Sequence, residues 1–206
     1  MRNRTVAIQG VGKVGSQLGE LLATAGARLI IADTDPQRAM LARRELEAWR
    51  VEPDEILQAE CDVLSPCALG GVLSRKTIPK LRCRAIAGAA NNQLEDPSDA
   101  KRIEERAILY APDYVVNAGG LMNILVGLQG GRKGFDRAKA DRLVRQIPAT
   151  LQAIFSKARA EGLTTAQAAD ALAEARLREA QAKKLDVGAR RAVPLRGQTA
   201  RTRVRR

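Results

Sequence analysis

Three glycines near the start of the chain have the spacing of a phosphate-binding turn. Residues 10–15 read Gly-Val-Gly-Lys-Val-Gly, between a short β-branched run at 5–9 and a segment with apolar residues at helical spacing at 16–24. In such a turn the first glycine permits a tight bend, the second lets a pyrophosphate approach the backbone, and the third allows a helix to lie close to a sheet. Unpaired N–H groups and the helix dipole then attract the phosphates.

A single acid follows at the end of the next apolar run. Asp33 comes directly after the predicted strand at 28–32. A carboxylate there accepts hydrogen bonds from ribose hydroxyls and repels a 2′-phosphate. The order of strand, glycine turn, helix, strand and acid therefore predicts a dinucleotide site that prefers NAD over NADP. The glycines taken alone are also compatible with an ordinary turn in an α/β fold without a ligand.

The elements that must position these residues alternate between strand and helix. Strands are predicted at 5–9, 28–32, 62–65, 84–87, 108–110 and 114–116, and helices at 16–24, 36–49, 74–81 and 97–106. Residues 51–56 are predicted to form a short edge strand or a turn. This alternation predicts an α/β fold, a Rossmann-type doubly wound parallel sheet with further helices at its C-terminal end.

Four small-residue or amide-rich segments fall at predicted carboxyl ends of strands. They are residues 10–15, 67–71, 88–93 and 117–120. Each alone is compatible with an ordinary turn. Because ligands of open parallel sheets bind beyond the carboxyl ends of the strands, their common position predicts one shared cleft.

The C-terminal third is predicted to be helical and to end in a basic tail. Pro148 should kink or divide a helix at 136–160, Gly162 should end it, and Thr164 or Thr165 should cap the next one. We therefore predict a dinucleotide-binding domain at 1–130, a helical extension of it at 131–184, and a disordered tail at 185–206. Residues 183–206 carry two lysines and seven arginines against one acid, which is most of the net charge of +12. The tail has no interleaved aromatic residues, so nucleic acid is not the favoured partner.

Composition excludes several classes of chemistry. The chain has no histidine, which removes Ser-His and Cys-His catalysis and the commonest metal ligand, and we predict no metal site. Cys61, Cys67 and Cys83 lack paired metal-site spacing and are interpreted as reduced, mostly buried thiols. No apolar run reaches the roughly 18 residues of a membrane span. With no apolar leader before the first strand, we expect a cytoplasmic protein without membrane contact.

Six segments together resemble the glutamate/leucine/phenylalanine/valine dehydrogenase family, and most closely its leucine dehydrogenases. They are residues 10–15, 32–35, 60–63, 65–71, 87–94 and 111–120. The resemblance extends from Thr5 to about Glu179. It implies oxidative deamination of an L-amino acid to a 2-oxo acid and ammonia, with hydride passing from Cα to the nicotinamide.

The resemblance also implies roles for particular residues. In the glycine turn it implies cofactor contacts from Gly10, Gly12, Lys13, Val14 and Gly15. Asp33 would hold the adenosine ribose, and the rest of the dinucleotide cleft would be lined by Ala68, Leu69, Asn91 and Asn117. Leu121 and Ile124 match positions that face the substrate side chain, where aliphatic residues suit a branched-chain amino acid. Ordinary helix core is the alternative for these two.

Two departures limit what the resemblance implies. Residues 123–127 read Asn-Ile-Leu-Val-Gly, so an acidic pair of the leucine dehydrogenases is lost. The family also places a substrate domain, with its catalytic lysines and aspartate, before the first strand, where this chain has four residues. We therefore name no catalytic residue and expect no activity without such a domain. Lys133 is interpreted as a solvated linker residue.

Two functions remain open at this point. One is the NAD-binding domain of an amino acid dehydrogenase whose N-terminal catalytic domain is supplied by a separate chain or a longer product. The alternative is a stand-alone, non-catalytic NAD-binding or regulatory module. Either way, Leu121 and Ile124 would be exposed in the isolated domain, so we expect self-association or partner binding.

Overall fold

The computed structural model describes residues 1–131 and 134–191, with side chains to residue 183. Residues 1–169 form one compact unit, and a second unit begins at Asp170. Lys133 and most of the predicted tail lie outside the described residues, so the predictions for them and the proposed division at 130 and 184 stay predictions. Among the described residues, no helix combines the length and apolar character that crossing a bilayer requires.

The first unit is built on a parallel sheet. Its strands are β1 (Thr5–Gln9), β2 (Arg28–Ala32), β3 (Trp49–Arg50), β4 (Cys61–Pro66), β5 (Cys83–Ile86) and β6 (Leu109–Tyr110). They lie in the order β3-β2-β1-β4-β5-β6, and every neighbouring pair is parallel. The chain thus builds outward from β1 in one direction and from β4 in the other, which confirms the doubly wound sheet.

Eight helices accompany the sheet in the part of the chain that the structure describes. They are α1 (Lys13–Thr24), α2 (Pro36–Glu45), α3 (Asp99–Glu105), α4 (Asp113–Val116), α5 (Gly119–Gly130), α6 (Arg137–Val144), α7 (Ile147–Glu161) and α8 (Thr165–Arg191). The last of these crosses the boundary between the two units.

Successive strand residues point to opposite faces of the sheet and form two cores. On β1, Val6 and Ile8 enter the core that contains Ala42 and Leu46, on and just after α2, whereas Ala7 enters the opposite one. The opposite core is completed by Leu64, Ile86, Ile103, Ile108 and Tyr110 among others. The central strands are continuously apolar in sequence because their side chains are buried on both faces of the sheet.

Local signals start and end several helices as expected. Asp35 caps α2 by accepting hydrogen bonds from the Gln37 and Arg38 backbone N–H groups, with a proline at the first helical position. Gly162 ends α7 at φ +64°. Thr164 begins α8 because its Oγ1 accepts from the Gln167 N–H at 3.2 Å. The helix predicted at 136–160 is divided near Pro148, since α6 ends at Val144 and α7 begins at Ile147.

Three element predictions were wrong. Residues 114–116 belong to helix α4 and not to a strand. The Val115 and Val116 N–H groups both donate to the Pro112 carbonyl, and the buried Asp113 side chain accepts a hydrogen bond from the Tyr110 hydroxyl. The helix predicted to reach residue 49 ends at Glu45, and Glu47 at φ +50° turns the chain into β3. Residues 74–81 contain only a 3₁₀ turn, Ile78–Lys80.

We predict that Leu64→Ala lowers the free energy of unfolding by about 2–5 kcal/mol, because it opens a cavity in the core beneath the central sheet. Leu64 is 1% exposed. The matched control is Leu41→Ala on α2, where the side chain is 55% exposed and the change should stay within about 0.5 kcal/mol. Urea unfolding followed by circular dichroism measures both. Equal losses in the two variants would contradict the assignment of Leu64 to the core.

Candidate functional site

A cavity of about 440 Å³ lies at the point where the strand order reverses. The reversal is between β1 and β4, whose last residues Gln9 and Pro66 stand side by side in the register. Five residues predicted for the cofactor line this cavity, namely Gly10, Gly12, Asp33, Ala68 and Leu69. Open α/β sheets bind ligands in the crevice at this topological switch point.

The glycine turn is held closely against the loop after β4. Gly10 adopts φ +89°, and a Cβ there would lie 2.8 Å from the Ala68 Cβ. A Cβ on Gly15 would overlap the Gly10 carbonyl oxygen. These two glycines are therefore required by the protein's own packing.

Gly12 differs from its two neighbours in the motif. Its backbone has φ −68° and ψ −165°, which other residues adopt without strain. A Cβ at Gly12 would meet nothing within 4 Å. Neither conformation nor protein packing therefore explains why the second glycine lacks a side chain. The open space above it, at the start of α1, fits a pyrophosphate drawn close to the backbone.

Asp33 joins the glycine turn to the end of β2. Its Oδ2 accepts from the Val11 N–H and its Oδ1 from the Asp35 N–H, each at 2.9 Å. The Arg38 guanidinium donates to Oδ1 at 3.2 Å, and the Asp33 side chain is 6% exposed. Sequence reasoning missed Arg38. Its position five residues after the acid, on the first turns of α2, was the available signal.

A second set of contacts connects the switch point to the loop after β5. The Cys67 N–H donates to the Gln9 carbonyl at 2.7 Å, and the Ala90 N–H donates to the Pro66 carbonyl at 2.9 Å. The Gly71 N–H then donates to the Asn92 carbonyl at 2.7 Å. The segments 67–71 and 88–93 are therefore joined to each other by a backbone hydrogen bond, and the first of them is also bonded to Gln9, the residue before the glycine turn.

The fourth segment is joined to the third through side chains. The Asn117 Nδ2 donates to the Asn91 Oδ1 at 2.7 Å, so these two predicted cofactor residues are brought together. The buried Gln93 holds the loop from beneath, because its Nε2 donates to the carbonyls of Gly88 and Ala90. The segments therefore lie along one edge of the sheet, which we call the rim, but Asn117 lines a separate cavity of about 360 Å³, so a single shared cleft stays a prediction.

Asp113 is the buried acid of the cleft that sequence reasoning missed. Its Oδ2 accepts from the Asn92 N–H and its Oδ1 from the Tyr110 hydroxyl, both at 2.8 Å. Burial and the neighbouring Asp113 carboxylate raise the pKa of Tyr110, so its hydroxyl stays protonated as a donor. Asn92 has φ +52°, a conformation that asparagine tolerates and that this bond holds in place. The sequence signal that could have identified Asp113 was its place at 111–120, one of the six segments that carry the family resemblance.

The other predicted site residues do not line this cavity; among them are Gly15, Asn91 and Asn117. Lys13 and Val14 are on the exposed first turn of α1. Leu121 and Ile124 are 70% and 62% exposed, and with Leu125 and Leu128 they form what we call the α5 apolar face. In the described residues, therefore, the two predicted substrate residues contact solvent rather than a helix core.

The cysteines are free thiols, as predicted. Burial raises the pKa of Cys61 to about 12 and that of Cys83 to about 11, so both are protonated and unreactive at neutral pH. Cys67 borders the cavity. No cluster of three or more histidine, cysteine, aspartate or glutamate side chains suited to a metal ion occurs among the described residues.

Known proteins are similar in sequence to most of this chain. The sequence model described as Glutamate/Leucine/Phenylalanine/Valine dehydrogenase matches residues 31–184. Leucine dehydrogenase of Thermoactinomyces intermedius is 40% identical over 177 residues, which cover 86% of this chain and 47% of that protein. Valine dehydrogenase of Streptomyces albus is 43% identical over 187 residues, covering 89% and 50% respectively.

The fold agrees with these similarities. The crystal structure of L-tryptophan dehydrogenase from Nostoc punctiforme superimposes with a TM-score of 0.82 at 43% sequence identity, covering 87% of this chain and 53% of that one. The chain thus spans about half the length of the curated relatives it matches. The matched sequence model and the shared fold show that the chain belongs to the glutamate/leucine/phenylalanine/valine dehydrogenase family.

Proposed function

We propose that this chain is the NAD-binding half of an amino acid dehydrogenase that deaminates a branched-chain or similar L-amino acid. The observation that supports the proposal is Gly12, which lies in the glycine turn at the start of α1, where a Cβ would meet no protein atom within 4 Å and the space is left for a pyrophosphate. Family membership supplies the reaction class, in which bound NAD accepts the hydride.

Residues of the cavity and of the adjoining rim would divide the work of holding the dinucleotide. The N–H groups at the start of α1 would bind the pyrophosphate, and Asp33 would orient the adenosine ribose. Asn91 and Asn117, which already bond each other, would hold the nicotinamide end at the far side of the rim. Each of these groups binds or orients; none of them moves a proton in the reaction.

The substrate and its catalytic groups are proposed to come from the other half of the enzyme. The α5 apolar face begins at Leu121, four residues after Asn117, so Leu121 and Ile124 would close the substrate side of the nicotinamide pocket. That half is either part of a longer product or a separate chain. The same exposed face also favours self-association. The relatives are named for leucine, valine and tryptophan, so the shared fold leaves the choice of side chain open.

The alternative is a stand-alone NAD-binding or regulatory module. It uses the same cavity and the same glycine turn, so cofactor binding does not distinguish it from the first proposal. Reduction of NAD by an amino acid does.

The distinguishing assay is NAD reduction with L-leucine, L-valine, L-phenylalanine and L-glutamate, with and without the product of the reading frame immediately upstream. We expect activity only when the second component is present, with L-leucine or L-valine preferred. NAD binding without turnover in any combination would favour the regulatory module. Turnover by this chain alone would contradict the absence of catalytic groups.

We predict that Gly12→Ala weakens NAD binding by roughly tenfold to a hundredfold, since a Cβ forced against the pyrophosphate costs about 1–3 kcal/mol. The free energy of unfolding should fall by no more than about 1 kcal/mol, because that Cβ meets no protein atom within 4 Å and the change affects only the N-cap of α1. Calorimetric titration with NAD, paired with urea unfolding, measures both. Gly127→Ala on α5, where a Cβ also meets nothing, is the control and should leave NAD binding unaltered. Unchanged affinity in Gly12→Ala would remove the main support for the proposal.

We predict that Asp113→Ala weakens NAD binding by about tenfold, because it releases the Asn92 N–H and with it the loop that carries Asn91. It should also destabilise the fold by about 1–3 kcal/mol for each donor left without a partner. Tyr110→Phe removes the hydroxyl but keeps the Asp113–Asn92 bond, so it should lose stability and retain NAD affinity. Asp113→Asn serves if the alanine variant does not fold. Equal loss of affinity in Tyr110→Phe would show that loop position is not what Asp113 contributes.

A further inference from the structure

Arg38 covers the carboxylate that is proposed to meet the adenosine ribose. Its Nη1 donates to the Asp33 Oδ1 at 3.2 Å and lies 3.5 Å from Oδ2, while its Nη2 lies 3.3 Å from the Asp35 Oδ2. The Arg38 side chain is 49% exposed, against 6% for Asp33. The polar group that an incoming ribose meets first is therefore a guanidinium.

Asp33 does not depend on Arg38 for its hydrogen bonds. The Val11 and Asp35 N–H groups occupy one position on each carboxylate oxygen, both at 2.9 Å. If Arg38 turned away, the buried carboxylate would keep two backbone partners and an acceptor position for a ribose hydroxyl. Arg38 is thus free to leave Asp33 at little cost.

A 2′-phosphate would give Arg38 a stronger partner. Such a group carries about −1.5 to −2 charges at pH 7, and guanidinium pairs with it through two parallel hydrogen bonds. Arg38 is the one cationic side chain among the described residues that line the cavity. The negative charges of Asp33 and Asp35 oppose the binding of such a phosphate. The charge of Asp35 is partly offset, because its carboxylate caps the positive N-terminal end of the α2 dipole.

We propose that Arg38 is a specificity-determining residue that counteracts the exclusion of NADP by Asp33, so that this site binds both dinucleotides. The inference rests on the proposed function, because it concerns the adenosine end of the same cavity. With NAD, the 2′-hydroxyl reaches Asp33. With NADP, Arg38 swings from Asp33 to the 2′-phosphate.

The test is calorimetric titration of the wild-type chain and of Arg38→Ala with NAD and with NADP. Wild type should bind both, and Arg38→Ala should lose about tenfold or more in NADP affinity while NAD affinity changes by less than about threefold. Titration with 2′,5′-ADP and 5′-AMP isolates the adenosine end and should show the same contrast. Arg44→Ala removes an equal charge from an exposed position on the same helix and should alter neither affinity.

The outcomes separate this inference from the proposed function. NAD binding by the wild type with no measurable NADP binding would overturn the role of Arg38 and leave the proposed function standing. Equal losses for NAD and NADP in Arg38→Ala would do the same, since they would show a general contribution to the pocket. If wild type binds neither dinucleotide, the proposed function and this inference both fail.

Discussion

The close approach of backbone to backbone at the carboxyl ends of β1 and β4 is the contact on which the site depends. The Cys67 N–H reaches the Gln9 carbonyl, and Gly10 lies against Ala68 with no room for a side chain between them. Gly15 likewise lets α1 pack against the Gly10 carbonyl, because a Cβ at residue 15 would overlap that oxygen. Helix α1 therefore begins beside the cavity that Gly10 and Gly12 line, and the first N–H groups of a helix have no partner within the helix.

From that contact the rest of the rim follows by short hydrogen bonds. The loop after β4 bonds the loop after β5, whose Asn92 N–H is in turn held by the Asp113 carboxylate. The polar groups proposed for the nicotinamide end are thereby fixed by backbone atoms and one buried acid.

The adenosine end is built differently, because its acid has a structural task as well as a proposed binding task. Asp33, directly after β2, accepts one hydrogen bond from the Val11 N–H of the glycine turn and one from the Asp35 N–H of the following turn before any ligand is considered. Its charge would favour a ribose hydroxyl over a phosphate, yet Arg38 lies directly over it. Cofactor preference at this position is therefore a balance between one carboxylate and one guanidinium, and an acid at the end of β2 does not decide it alone.

The sequence by itself was sufficient for the sheet, the order of its elements and the glycine turn. Those features depend on interactions between residues close in the chain: alternation of strand and helix, glycine spacing, and the caps at Asp35, Gly162 and Thr164. The same local reasoning failed at 114–116, where two β-branched residues favoured a strand and a buried Asp113 imposed a helix. Only the tertiary structure decided which residues meet across the cleft. Asp113 on Asn92 and Asn117 on Asn91 each join segments that are distant in the chain, and such contacts leave no periodic pattern in the sequence.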